Sequence, residues 1–392
     1  MNAIPILPIV LFLVFLNLYT GFHGYIFFQS IKWKIGPRFP VLAQKLTGRL
    51  YWLAFIFLAG LYAGIRFERG LRSIFSLANA YWGIILFLPL LAALDAVYFV
   101  RFVMRVVRRF RRTPERPAAR FLGPLFTFVS HLVIIAIVVS ITVYGSWRAR
   151  SPVVTEYKIK TEKPLPGGKL EAILVSDIHI GALVSKERLG RMVNEIAALK
   201  GDIIFIAGDI LDRGMEMWEQ ENIGAEFSRL KANLGVWAVP GNHEYYGGHI
   251  NELRENLAAC RIIMLEDEVV ETGGLYVIGR KDLMSGRWGQ QRKSLVDLAR
   301  SLDKSRFIIV MDHQPVNLEK GEEAGIDLQV SGHTHHGQIW PGSIMTGRIF
   351  EKDYGLLYKG KSAFVVSSGY GTWGPSLRIG THSEIVRIVL TN

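Results

Sequence analysis

Four long apolar stretches fill most of the first 147 residues, at 4–28, 50–65, 73–100 and 121–147. A bilayer span needs about 20 mostly apolar residues, and three of the four reach that length. The stretch at 50–65 is shorter, but Arg49 and Arg66 bracket it, and their long stems can carry both charges to the interfaces. The first stretch has no positive segment before it and is too long and aromatic for a secretory signal, so it reads as a retained anchor. Residues 1–147 are therefore expected to form a four-helix transmembrane region, leaving the remainder to fold in water.

Charge divides the chain at the same place. The 392 residues carry a formal net charge of +12, yet residues 1–150 hold 18 of the 46 Lys and Arg and only three acids, Glu68, Asp95 and Glu115. Basic residues beside apolar spans are membrane-flanking charge, and no stripe of Lys and Arg interleaved with aromatics follows, which argues against nucleic acid as a partner. The first loop (Lys32, Lys34, Arg38, Lys45, Arg49) and the third (eight arginines from Arg101 to Arg120) are more basic than the second (Arg66, Arg69, Arg72). The positive-inside rule places loops one and three in the cytoplasm and the C-terminal part outside it, in a multi-pass protein of the cell membrane. With three spans the two strongly basic loops would lie on opposite faces, so four fit better. Asp95 and His131, inside apolar stretches, are expected to make interfacial or helix–helix hydrogen bonds, and no ladder of intramembrane charge marks a transport path. Cys260 is the only cysteine; it excludes an intramolecular disulfide and reads as a small buried apolar residue.

At 148–169 the composition turns polar, with Pro152, Pro164, Pro166 and Gly167-Gly168, which marks a linker with an edge strand at 153–160. A linker of about twenty residues spans at most roughly 70 Å, so it would hold the following domain near the bilayer. From 170 to 392, short apolar runs alternate with helical patterns. Strands are expected at 172–176, 202–207, 235–239, 275–279, 307–311, 328–331, 363–367 and 384–390, and helices at 186–200, 249–259 and 291–302. That alternation indicates a layered α/β domain.

The residues that carry chemistry fall directly after the expected strands, where the loops of α/β sheets converge on ligands. Asp177-Ile178-His179 follows the first, Gly208-Asp209 the second and Gly241-Asn242-His243-Glu244 the third. His313 follows the strand at 307–311, and Gly332-His333-Thr334-His335 the one at 328–331. Any one fragment alone would be a turn or a buried histidine with a backbone partner, but five in order at strand ends point to a metal centre. Gly208, Gly241 and Gly332 suit the tight turns such a centre requires. Two divalent ions about 3.5 to 4 Å apart can share a hydroxide nucleophile and hold phosphoryl oxygens for in-line displacement. Mixed imidazole and oxygen ligands favour Mn, Fe or Zn over Mg or Ca.

In this ordered set the sequence resembles the calcineurin-like metallophosphoesterases over most of residues 170–340. The wording around His335-His336-Gly337-Gln338, and the segment through Ser368-Gly369, Gly371, Arg378 and Glu384, is similar to the membrane-associated bacterial branch of YkuE- and YaeI-like phosphodiesterases. His336 departs from that branch, where glycine is usual. The resemblance implies a four-layer α/β/β/α metallophosphoesterase sandwich. It also implies that Asp177, His179 and His335 hold a first metal, that Asn242, His313 and His333 hold a second, and that Asp209 bridges them. His243 would face the substrate, stabilising charge on the phosphoryl group or protonating the leaving oxygen.

Arg378 reads equally as a phosphate clamp or a structural ion pair. Trp218, Trp237, Trp288, Trp340 and Trp373 read as core or rim packing, with Trp340 and Trp373 near the expected site, and Glu266-Asp267-Glu268 as a solvated turn. The leading function is a membrane-anchored phosphodiesterase or phosphatase acting on a lipid or envelope phosphoester. One rival is a non-catalytic sensor or binding module on the same fold, which would be expected to have lost ligands. Another is a transporter-associated protein, which would need a polar cavity in the membrane half. The residues do not separate monoesters from diesters, and the oligomeric state is left open.

Overall fold

The computed structural model describes residues 117–392, apart from 182, 183 and 213, together with scattered helical residues between 19 and 111. The chain divides into two units, Met1–Val143 and Tyr144–Asn392. Helix α1, Pro117–Arg150, continues three residues beyond the expected span because Arg148 and Arg150 complete a basic last turn that suits the negative end of the helix dipole. Its segment Val129–Arg150 is the one helix among the described residues long and apolar enough to cross a membrane, where four were expected. The expected span at 50–65, and all of that at 4–28 but Tyr19, lie outside the described residues; of 73–100 only Leu90 and 92–100 lie within them. In the first unit Tyr19 donates to Asp95 at 2.6 Å, the kind of helix–helix hydrogen bond expected of an acid in an apolar stretch.

The second unit is built on two six-stranded sheets. The first has the order β1 (Val153–Lys160), β12 (Glu384–Thr391), β2 (Lys169–Val175), β3 (Ile203–Ala207), β4 (Val236–Val239) and β5 (Ile262–Met264). Its β2, β3, β4 and β5 run parallel, and β12 is antiparallel to β2. The second has the order β10 (Gly355–Lys359), β11 (Ser362–Val366), β9 (Leu328–Ser331), β8 (Ile308–Met311), β7 (Leu275–Gly279) and β6 (Glu268–Thr272), with its four central strands parallel. β1 pairs along its whole length with β12, so much of the polar stretch at 148–169 belongs to the sheet.

The period-2 alternation of a strand sends neighbouring side chains to opposite faces, and here both faces are apolar. Ala172, Leu174, Phe205 and Ala207 of the first sheet meet Val277, Ile309, Met311 and Val330 of the second in one shared core. The alternate residues Ile173, Val175, Ile204 and Ile206 pack outward on helix α2 (Lys186–Leu199), through Leu189, Met192, Val193 and Ile196. On the far side Ile308 and Val310 pack on Leu295 and Ala299 of a short helix at Leu295–Ala299 and on Ala324 of another at Glu319–Ala324. Three cores between helix, sheet, sheet and helix give the layered α/β architecture expected, and they hold two sets of parallel strand ends at one edge.

Candidate metal centre

The parallel strands end where the two sheets meet. Asp177 N donates to Gly208 O (3.0 Å) and His179 N to Asp209 O (3.0 Å), which lashes the loops after β2 and β3 together. Gly332 N donates to His313 O (2.9 Å), joining the loops after β8 and β9. His313 Nδ1 lies 2.7 Å from Ala207 O, a bond across the two sheets that turns its Nε2 toward the centre.

These loops bring Asp177, His179 and His335 into one group, and Asp209, His313 and His333 into another, each with candidate ligand atoms within 4.8 Å of one another. In the first, His179 Nε2 is 3.1 Å from His335 Nε2, which is 3.5 Å from Asp177 Oδ1. In the second, His333 Nδ1 is 3.3 Å from His313 Nε2, which is 3.3 Å from Asp209 Oδ2. Asp209 Oδ2 also lies 3.8 Å from His179 Nε2, so one oxygen lies near a histidine of each group. Ligands about 2 Å from an ion stand roughly 3 to 3.5 Å apart, which matches this spacing. Asn242, the first residue of a short helix at Asn242–Gly247, is buried, and its Oδ1 has no hydrogen-bond partner. A buried amide oxygen left open in this way fits a cation better than a packed core.

The backbone is strained at these same residues. Asp177 (φ 52°), His179 (φ 50°), Asp209 (φ 50°), His333 (φ 72°) and His335 (φ 48°) all occupy the left-handed region, which costs a non-glycine residue about 1–3 kcal/mol and is found at functional sites. Gly208 turns at φ 83°, and a Cβ there would lie 2.5 Å from His313 Nδ1. A Cβ on Gly241 would meet Asp209 Oδ1 at 2.1 Å, and one on Gly332 would meet Asp177 Oδ2 at 2.3 Å, so these two glycines are needed for close approach rather than for a turn.

The electrostatics suit cations. Burial pushes the imidazoles of His179 and His333 down to about 3 and about 4, and that of His335 well below its usual value, so their lone pairs are free near neutral pH. Burial raises the Asp177 carboxyl to about 6. For Asp209 burial acts the same way, but the charge of His313 and its neighbours outweighs it and holds the carboxyl well below the carboxylate range. His313, although buried, is held cationic by Asp209, and a metal would take the place of that proton.

His243 joins His179 and Asp209 in a third close group. Its Nδ1 lies 2.7 Å from Asp212 O and its backbone N donates to Asp209 Oδ1 at 2.9 Å, which leaves Nε2 unengaged by these contacts. Three residues beside the centre, two through their side chains and Asp212 through its backbone carbonyl, were not assigned these roles from sequence. Glu244 is buried and accepts from the backbone N–H groups of Asp209 (3.0 Å), Ile210 (2.8 Å), Leu211 (3.0 Å) and Gly241 (2.7 Å). Its position three residues after the helix cap Gly241 was the available signal. Burial, then the nearby Asp209 charge, raises its carboxyl to about 7. Asp212 orients His243. Arg378 is fully buried, donates to the carbonyls of Ser368 (2.7 Å), Gly369 (3.0 Å) and Gly371 (2.7 Å), and lies 3.4 Å from His335 Nδ1. It is thus neither of the alternatives expected: it braces the loop behind a candidate ligand, and burial lowers its guanidinium to about 9.

His336 sits at φ 48°, where glycine is at ease, and its Nδ1 is 2.9 Å from Asp353 Oδ2. Trp218 and Trp237 are buried and Trp288, Trp340 and Trp373 exposed, while Cys260 is buried as expected. Glu266-Asp267-Glu268 is not a solvated turn: Glu266 and Asp267 are buried, and Asp267 accepts from Lys281 N and Lys293 N.

Residues 171–337 match the family model described as calcineurin-like phosphoesterase. A protein of Aquifex aeolicus named "Uncharacterized metallophosphoesterase" is 30% identical over 242 residues, covering 60% of this chain and 91% of that one. A Helicobacter pylori (strain J99) protein of the same description is 32% identical over 250 residues, 62% of this chain and 66% of its own length. The chain thus spans just under two thirds of that relative. A Bos taurus protein named "Transmembrane protein with metallophosphoesterase domain" is 28% identical over 259 residues, 62% of this chain and 58% of the other. With clustered aspartates and histidines of the kind that bind divalent metals, this chain belongs to the calcineurin-like metallophosphoesterases, the metal-dependent hydrolases of phosphoesters.

Proposed function

We propose that the chain is a membrane-anchored dinuclear phosphoesterase in which Asp177, His179 and His335 hold one divalent ion, Asn242, His313 and His333 hold the other, and Asp209 bridges them. The observation that carries this reading is the position of Asp209 Oδ2, 3.8 Å from His179 Nε2 and 3.3 Å from His313 Nε2; the buried Asn242 Oδ1, open to a further partner, supports it. The nitrogen and oxygen donors favour Mn, Fe or Zn. When bound, such a pair lowers the pKa of water and neutralises charge on the phosphoryl oxygens.

The chain's own groups supply the rest. The Asp212 carbonyl accepts from Nδ1–H of His243 and fixes the ring, so Nε2 is the nitrogen that, in the imidazolium form, donates to a phosphoryl oxygen or protonates the leaving group. Ser176, with its Oγ 2.5 Å from Asp177 Oδ2, and His333 N, 2.9 Å from Oδ1, fix the Asp177 carboxylate. Glu244 gathers four amides and so sets the direction of Asp209. Arg378 keeps the loop behind His335 closed.

The arginines before α1 favour a cytoplasmic start for that helix, which puts the catalytic domain outside the cytoplasm. Anchoring favours a phosphoester held in a lipid or envelope polymer, because it raises the effective concentration of substrates confined to the same surface. The test is hydrolysis of para-nitrophenyl phosphate and methyl para-nitrophenyl phosphate by the full chain after loading with Mn, Fe or Zn. Turnover of at least one reporter that depends on the metal is expected. Absence of turnover with every metal, or turnover that survives complete chelation, would overturn the reading.

A further inference from the structure

Beside the centre lies an apolar surface that neither the fold nor the chemistry above uses. Helix α3, Gly342–Ile349, has no buried residue. Met345 (65% exposed) and Ile349 (70%) stand one turn apart on one face, with Ile344 beside them. Trp340 (59%) precedes the helix. Trp373 (61%) is tied alongside by Gln338, whose Nε2 donates to Trp373 O (2.8 Å) and whose Oε1 accepts from Trp373 N (2.8 Å). A cluster of large apolar side chains held in water marks a surface that meets something apolar.

The end of α1 indicates what that is. Tyr144 and Trp147 are exposed aromatics on its last turns, the residue types that mark a membrane–water interface. Between them, Gly145 O accepts from Arg378 N at 3.0 Å, and the next residue, Ile379, gives its carbonyl to Trp340 N at 2.8 Å. Ala149 is fully buried, and its carbonyl accepts from Arg188 Nη2 (2.6 Å) and Ser383 Oγ (2.9 Å). A Cβ on Gly145 would meet Ile379 at 3.1 Å. The last turns of α1 are therefore built into the catalytic domain, not joined to it by a slack tether, and two backbone hydrogen bonds link Gly145, between the two aromatics, to Trp340.

We infer that α3, with Trp340 and Trp373, is a docking face for the interface of the bilayer that α1 leaves, and that it presents the metal centre to phosphoesters carried on lipid chains in that leaflet. Arg150 and Arg348 are exposed, and such cations attract anionic lipid headgroups. The face is also joined to the centre. Thr346 Oγ1 donates to Asp353 Oδ2 at 2.7 Å, the same oxygen that lies 2.9 Å from His336 Nδ1, and the Phe350 ring packs 5.8 Å from that of His333. Docking rests on α1 crossing a bilayer, and only its consequence for substrate rests on the phosphoesterase reading.

The experiment uses the full chain in vesicles of phosphatidylcholine and phosphatidylglycerol, with Cys260→Ser as background and a nitroxide on Met345→Cys. The reference is a nitroxide on Ile263→Cys, an exposed apolar position (50%) on strand β5 outside the face. Relaxation by oxygen relative to a water-soluble nickel chelate is expected to be several-fold higher at Met345 than at Ile263; equal ratios overturn docking. In parallel, Met345→Glu with Ile349→Glu is expected to cut hydrolysis of hexadecyl para-nitrophenyl phosphate in the vesicles about tenfold while leaving methyl para-nitrophenyl phosphate unchanged. Equal losses on both, or no loss on either, overturn substrate presentation. A wild-type chain inactive on both reporters overturns the catalytic reading instead, and the nitroxide ratio then decides docking alone.

Discussion

Two buried polar clusters lie close together in this domain and solve the same problem differently. At the metal centre, Asp177 and Asp209 face histidines, three of which burial keeps neutral, and Asn242 Oδ1 has no partner. Next to it, Asp267, Asp282 and Asp312 face cations and donors from the chain itself. Arg280 and Arg292 pair with Asp312, Lys281 N and Lys293 N donate to Asp267, and Met284 N and Gln314 Nε2 donate to Asp282. A buried carboxylate must be paired or lose its charge. The second cluster is balanced by arginine and amide; the first is short of positive charge, and in the proposed reading two metal ions supply it.

Removing metal should change the first cluster most. Chelation of the full chain should take phosphoester turnover to background and lower the melting temperature, because ions that bind only the folded state stabilise it by mass action. A chelated protein with unchanged melting temperature would show that the first cluster is balanced without ions. His243→Ala should keep its metals and lose about 10²–10⁴ in rate, the range for a general acid. Metal analysis beside steady-state kinetics separates this from ligand loss. Asp312→Asn breaks a pair in the balanced cluster and should cost about 3–5 kcal/mol of stability in denaturant unfolding, with the metal content of the folded protein unchanged. Glu244→Gln should give the smallest effect. Loss of an outer partner weakens metal binding by about 10 to 100-fold, read by metal titration.

Much of this contrast was legible in the sequence, for a physical reason. Parallel strands buried on both faces are uninterrupted apolar runs, so β2, β3, β8 and β9 stand out, and the Gly-Asp, Gly-Asn-His and Gly-His pairs after them mark the ends where loops converge. Of the four edge strands only β1 stood out. β5 has three residues, while β6 and β10 carry glutamate or lysine on half-exposed faces, so neither gives a buried-strand pattern. The stretch 291–302 looked helical throughout, but only Leu295–Ala299 is, since Lys293 N serves Asp267 instead. Glu266-Asp267-Glu268 looked solvated because three adjacent acids usually are, and their partners Arg254, Arg280 and Lys293 are scattered along the chain. Arg378 was misread for a related reason, since nothing local shows that a buried arginine will bind three carbonyls. The polar run at 148–169 resembles a linker until β12, more than two hundred residues later, pairs with it.

Metal stoichiometry tests most directly whether Asp209 is shared between two ions, as proposed. Wild type and Asp209→Asn, purified as full chains and loaded with the same excess of Mn or Zn, would be compared by elemental analysis after removal of free ion. About two ions per wild-type chain are expected, and fewer than one in the variant at the same concentration, because neutralising the bridge removes the charge that offsets repulsion between the cations. A variant that still holds two ions per chain would contradict that sharing.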